Sequence, residues 1–228
     1  KTLSELLHAH HGKKVYVIID EYDTPLNHAY LKGYGDEATA FMRTLFGITF
    51  KSNPFLEKGI LTGILRIAKA NLFSDLNNLL EDTVLDNDYA SHFGFTEGEV
   101  NELLTLAGVT DTQSVKEWYN GYRIGGETIY NPWSFMNYLS AVAHDHHDPL
   151  QPYWVDSGGV DMIQTPLFSE IARSLWDSLD NGKNLSVALK KHITIADINS
   201  PDELYSLLLH AGYLTLSDPH PNLKDNVN

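Results

Sequence analysis

The sequence predicts an α/β sheet over residues 1–94 followed by a mainly helical domain over residues 95–217. Three observations predict it. Val15–Ile19 is a continuous apolar run, not an alternating one, as in a parallel sheet with helices on both faces. Helix-period and strand-like segments alternate through residue 94, the order of an α/β domain. Beyond it the apolar residues fall mostly at helical spacing, interrupted by one hairpin signal.

Taken in order, Leu3, Leu6, Leu7 and His10 follow the helical period, and Gly12 stops that helix before the strand at 15–19. From about Glu37 a second helix carries Ala38, Phe41, Met42 and Leu45 on one face. Asn53-Pro54 closes that region, and the apolar run 59–67 reads as the next strand. Leu76, Leu79 and Leu80 continue at helical spacing toward a third strand at 83–85. Thr96 and Glu99 form a capping box for a helix with Val100, Leu103, Leu104 and Ala107 on its apolar stripe. Val115, Trp118, Tyr119 and Tyr122 repeat that spacing. Residues 122–130 read as a hairpin, because Gly125-Gly126 can take the positive φ of a tight turn. Asn131-Pro132 is an N-cap with proline at the first helical position, ahead of Phe135, Tyr138, Leu139 and Val142. Ser200 and Glu203 make a second capping box, whose helix runs through Leu204, Leu207, Leu208 and Ala211 to Gly212 and a strand at 213–216. The polar, proline-bearing stretch 218–228 reads as a flexible tail.

Composition narrows the function classes. Lys and Arg number 16 against 30 Asp and Glu, a net charge of −14 that argues against nonspecific nucleic-acid binding. The absence of cysteine excludes disulfides, thiolate zinc sites and cysteine nucleophiles, and points to a cytoplasmic protein. No apolar run approaches the ~20 residues of a membrane span, so a soluble chain with no membrane partner is expected.

The chemistry concentrates at VYVIIDEYD, residues 15–23, where buried apolar residues end in two adjacent carboxylates. This is a Walker B pattern. A parallel strand carries its last side chains to the carboxyl edge of the sheet, where ligands bind in open α/β folds. There Asp20 is a candidate Mg²⁺ ligand, acting through water, and Glu21 a candidate base for an attacking water. The same residues also fit an ordinary solvated turn, with Asp23 or Thr24 capping a short helix begun at Pro25. In the second apolar run, Thr62 is a candidate to face a γ-phosphate and Arg66 to supply charge to it, or else to pair with a nearby carboxylate. The histidines and aspartates at 143–148 read as a solvated linker, and His8, His10 and His11 as surface or core residues. Trp118, Tyr119, Tyr122, Tyr130, Trp133 and Tyr138 can in principle stack bases, but their helical spacing and the negative charge favour a packed core around the hairpin.

Five segments in order, VYVIIDEYDTPL, KGILTGILRIAKANLFSDLNNL, FGFTEGEV, WYNGYRIGGETIYNPWSFMNYL and YWVDSGGVDMI, resemble the successive motifs of the predicted AAA-ATPase-like family over about residues 13 to 216. The resemblance implies a P-loop NTPase core and a helical, partly winged-helix-like region, often joined to a C-terminal restriction-endonuclease-like nuclease domain. It puts Asp20 and Glu21 at the Walker B acids and Thr62 to Arg66 on a sensor-like strand. The phosphate-gripping loop G-x-x-x-x-G-K-[ST] is not in these 228 residues: Gly12-Lys13 and Gly182-Lys183 are not followed by Ser or Thr. The expected fold is therefore a partial P-loop NTPase-type parallel sheet, without its first strand and Walker A loop, plus a mainly helical domain. The expected cofactors are ATP and Mg²⁺ in an intact protein, with neither held tightly by this chain, which reads as a fragment or a shortened relative. Two alternatives stay open: a catalytically silent module that docks a partner protein through its helical half, and a metal-dependent phosphodiesterase using Asp20, Glu21 and Asp23.

Overall fold

The computed structural model describes residues 1–64, 72–73, 76, 79–154, 170–180, 184–191, 193 and 198–217. Arg66, Lys69 and the tail 218–228 lie outside the described residues. The chain divides into two compact units, Lys1–Glu81 with His192–Glu203, and Asp82–Lys191 with Leu204–Asn228. Among the described residues no helix is long and apolar enough to cross a membrane.

In the first unit, α1 (Thr2–His11) ends at Gly12, whose φ of 65° satisfies the left-handed cap, and leads into β1 (Val15–Ile19). The strand pairs in parallel with β2 (Leu56–Leu61), Val17 opposite Gly59 and Ile19 opposite Leu61. Between them run α2 (Thr24–Leu31), with Pro25 in its first turn, α3 (Gly35–Phe46) and a π-helical turn at Gly47–Lys51. Leu26 of α2 and Phe46 of α3 join Tyr22, Leu72, Phe73 and Leu76 in one core, against which Ile19, Ala38, Met42, Phe50 and Leu61 pack. Gly59 is needed here, because a Cβ on it would lie 2.5 Å from the ring of Phe50.

Several expectations for this unit need correction. Only one face of the strand pair is covered: Tyr16 and Ile18 are each 68% exposed, while Val15, Val17 and Ile19 turn inward. Successive strand residues point to opposite faces, and a continuous apolar run does not say whether both faces have a neighbour. Leu3 and Leu6 are likewise exposed; α1 is held instead by Asn53 Nδ2 donating to the buried Ser4 Oγ at 3.0 Å. On α3, Phe41 and Leu45 face outward, and Gly35, Thr39 and Phe46 are the buried residues. The second strand begins at Leu56 and ends at Leu61, earlier than the run 59–67 suggested. Leu79 and Leu80 are exposed and not helical.

The second unit carries a three-stranded antiparallel sheet in the order β3-β5-β4, made of β3 (Phe95–Thr96), β4 (Asn120–Ile124) and β5 (Glu127–Tyr130). The hairpin β4-β5 turns at Gly125-Gly126 as its sequence requires, and β3 is an addition that two residues were too few to signal. Thr96 and Glu99 form the full capping box of α4 (Glu97–Leu106), and Asp111 caps α5 (Thr112–Tyr119) through Ser114 N–H. Asn131 caps α6 (Pro132–Ala143) the same way. Val100, Leu104, Val115, Tyr119, Tyr130, Phe135 and Tyr138 form the core. Burial pushes the Tyr119 phenol up to about 12, with its oxygen accepting from Gln151 N–H at 3.0 Å. Further helices are Arg173–Asp180 (α7) and Pro201–His210 (α8), of which residues up to Glu203 fall in the first unit. At the start of α8 Glu203 N–H donates to Ser200 Oγ, but the Glu203 carboxylate takes the Asn199 N–H, one residue before the box partner.

Residues 83–85 are not a strand. Thr83 donates its N–H and hydroxyl to Asp86 Oδ2 at 2.8 and 2.9 Å, closing a turn. Burial raises the Asp86 carboxyl, but Lys191 at 2.8 Å and the Thr83 donors outweigh it and hold it below the usual carboxylate range. This turn sits on the hairpin: Gly125 N–H donates to Val84 O, and Gly126 N–H to Asn87 Oδ1, both at 2.8 Å. Residues 82–94 thus pack with the second unit, although the sequence order grouped them with the first. The stretch 213–216 is also not a strand. Tyr213 and Leu214 N–H groups both donate to Leu208 O, closing the end of α8 beyond Gly212. Gly125 has φ 53°, and a Cβ there would lie 2.7 Å from Asp86 O. Gly125→Ala is therefore expected to destabilise the second unit by about 1–3 kcal/mol, measured by urea unfolding followed through tryptophan fluorescence. All four tryptophans, at 118, 133, 154 and 176, belong to that unit.

Candidate functional site

The candidate site lies where the parallel pair β1 and β2 ends. Thr62 N–H donates to Ile19 O at 2.9 Å and Tyr22 N–H to Thr62 O at 3.0 Å, so the two chains stay side by side beyond the strands themselves. That proximity puts the Thr62 hydroxyl on Asp20, donating to Oδ1. The same oxygen accepts Glu21 N–H at 3.0 Å. Asp20 Oδ2 has no protein donor among the described residues, and the side chain is exposed.

Glu21 departs from the strand at once. Its φ is 50°, in the left-handed region that non-glycine residues other than Asn and Asp seldom adopt. Such a conformation costs on the order of 1–3 kcal/mol and persists where surrounding contacts impose it. Here the turn is closed by Thr24 N–H donating to Glu21 O at 3.1 Å, ahead of α2. The Glu21 carboxylate is exposed, and among the described residues it touches only Thr24 Oγ1, at 3.5 Å. The carboxylates of Asp20 and Glu21 thus have separate partners, Thr62 for one and Thr24 for the other.

Asp23 does something the sequence reading missed. It stands at the N-cap position of α2, yet its side chain makes no capping bond. Its carboxylate is 1% exposed, and Oδ2 accepts the Ile64 N–H at 3.1 Å. Gly63 makes the approach possible, since a Cβ there would lie 2.5 Å from Asp23 Oδ1 and 2.9 Å from the Tyr22 ring. A glycine inside an apolar strand run was the available signal, because such glycines mark close backbone approach.

Chemically, one exposed carboxylate with a free oxygen, fixed by a hydroxyl on the neighbouring strand, fits a hydrated divalent cation. Among the described residues no three His, Asp or Glu side chains converge on one point. With the described residues alone, a cation at Asp20 would take most of its ligands from water or substrate oxygens, the habit of Mg²⁺.

Residues 1–73 match the family model described as predicted AAA-ATPase. The matched segment contains Asp20, Glu21, Asp23, Thr62 and Gly63. The chain is also 30% identical over 217 residues to an uncharacterized protein in the vnfD 5′ region of Azotobacter chroococcum mcd 1. The alignment covers 92% of this chain and 38% of that protein. No solved structure matches.

The other candidates were a cation beyond Thr62, the histidines and the aromatic residues. Arg66, which the family resemblance put on the same sensor-like strand as Thr62, lies outside the described residues. His144 Nδ1 is 2.7 Å from Ser140 O at the end of α6, and His10 and His11 are exposed. Of the aromatic residues, Tyr119, Tyr130 and Tyr138 are core, whereas Trp118 and Trp133 are half-exposed. Trp118, Tyr122, Asn131, Trp154, Tyr213 and Thr215 line a shallow cleft of about 230 Å³ within the second unit.

Proposed function

We propose that the end of the β1-β2 pair is the metal- and water-handling part of an ATP-hydrolysing site, in a P-loop NTPase-type core followed by a winged-helix-like unit. The observation that carries this reading is the Thr62 hydroxyl seated on Asp20 Oδ1 at the carboxyl end of two parallel strands, with Glu21 next in the chain. In it, Asp20 presents Oδ2 to hydrated Mg²⁺, Thr62 holds that carboxylate in one orientation, and Glu21 accepts a proton from water. Bound Mg²⁺ would neutralise charge on the phosphate oxygens. The residues that grip phosphate are assigned to polypeptide outside these 228 residues. Three observations support that assignment: the missing Gly-Lys-Ser/Thr loop, the uncovered face at Tyr16 and Ile18, and the 38% share of the relative that the chain spans.

The test has two arms. A longer protein containing this segment is expected to hydrolyse ATP with Mg²⁺, and Asp20→Asn to abolish turnover; undiminished turnover would reject the reading. The 228-residue chain alone is expected to bind Mg-ATP no more tightly than about millimolar, roughly −4 kcal/mol, by calorimetry. Micromolar binding would mean that the phosphate grip is already here. A rival reading, a silent interaction module, has in its favour the half-exposed Trp118 and Trp154 around the second unit's cleft. It requires that loss of either acid leave function unchanged.

A further inference from the structure

Four hydrogen bonds tie residues 19–23 to residues 62–64. Three have been placed at the site: Thr62 N–H to Ile19 O, Tyr22 N–H to Thr62 O, and the Thr62 hydroxyl to Asp20 Oδ1. The fourth, Ile64 N–H to Asp23 Oδ2 at 3.1 Å, continues the parallel pairing with a side-chain oxygen in place of a backbone carbonyl. It also differs in environment. Asp20 and Glu21 are exposed, whereas Asp23 is 1% exposed and packed against the position where a Gly63 Cβ would stand. A carboxylate is costly to bury unless hydrogen-bonded, so its burial here is matched to a donor. The cap of α2, where an Asp is ordinarily used, receives nothing from this side chain.

We propose that Asp23 is a positioning residue that acts through Thr62. By holding the backbone at Gly63-Ile64 it fixes the Thr62 hydroxyl on Asp20, and so sets the direction in which Asp20 offers its remaining oxygen. The proposal rests on the reading of Asp20 as the cation-binding acid. The clamp itself is a property of the chain that can be measured without any ligand.

The experiment uses the 228-residue chain and two readouts. The first is the χ1 rotamer of Thr62, from three-bond couplings to its methyl group. One rotamer is expected in the parent and in Asp23→Asn, which keeps an oxygen for Ile64 N–H. Averaged rotamers are expected in Asp23→Ala and, independently, in Gly63→Ala, whose new methyl group displaces the carboxylate. The second is Mn²⁺ affinity, from relaxation enhancement of water, compared with Asp20→Asn. Mn²⁺ binding is expected to weaken about tenfold in Asp23→Ala, as when a group orienting a metal ligand is lost, and to recover in Asp23→Asn. A single Thr62 rotamer in both alanine variants overturns the proposal whatever the metal does. Equal averaging in Asp23→Asn and Asp23→Ala overturns it too. Freed Thr62 rotamers with no Mn²⁺ site at Asp20 in the parent would sustain the clamp and bring down the reading of the acid pair instead.

Discussion

In a longer protein carrying this segment, Glu21→Gln is expected to lower ATP turnover about 10²- to 10⁴-fold, the usual contribution of a positioned general base. ATP affinity is expected to change little. The amide has the shape of the carboxylate but cannot take a proton from water. The structure makes the substitution a clean one: Glu21 is exposed, has among the described residues one weak side-chain contact, to Thr24 at 3.5 Å, and takes its φ of 50° from the turn around it. Glutamine bears the same backbone cost, so folding is expected to be unaffected. Single-turnover hydrolysis and equilibrium nucleotide binding, measured side by side, separate the two effects. Loss of binding together with turnover would assign Glu21 to ligand contact, and unchanged turnover would remove it from the chemistry.

Phe46→Ala is expected to destabilise the first unit by about 3–5 kcal/mol, the range for removing a large aromatic from a packed core. Phe46 is fully buried at the end of α3. Its ring stacks with Phe73 at a centroid distance of 6.1 Å, meets Tyr22 edge-on at 6.1 Å and lies 6.0 Å from Phe50. Tyr22 sits between Glu21 and Asp23, so the cavity opens directly beneath the acidic turn. Amide exchange across α2 and α3 is the direct readout, because the first unit contains no tryptophan. Exchange rates in those helices unchanged from the parent would show that this aromatic cluster does not hold the unit together.

Local signals in the sequence translated faithfully wherever a few neighbouring residues settle the outcome. The Thr96-Glu99 capping box, the Asn131-Pro132 helix start, the Gly12 helix end and the Gly125-Gly126 hairpin are all present as read. Each involves groups within a few residues, so chain connectivity brings them together without help from the rest of the fold. Predictions of burial fared worse. Tyr16, Ile18, Leu3, Leu6 and Phe41 are apolar at the right spacing yet exposed, since periodicity says which residues share a face and not whether anything lies opposite. The stretch 83–85 misled for a related reason: its Thr and Val have strand propensity, but Asp86 offers Thr83 a local turn that satisfies the same backbone donor.

By itself the sequence determined that an apolar strand ends in two acids, and that a helix-rich unit with one hairpin follows. Its own residues carry those features, through side-chain polarity and backbone preference. Only the tertiary structure decided that Thr62, 42 residues along the chain, lands on Asp20, and that Asp23 is drawn inside to hold Ile64. Those contacts depend on the register of two parallel strands separated by two helices, which no local propensity specifies.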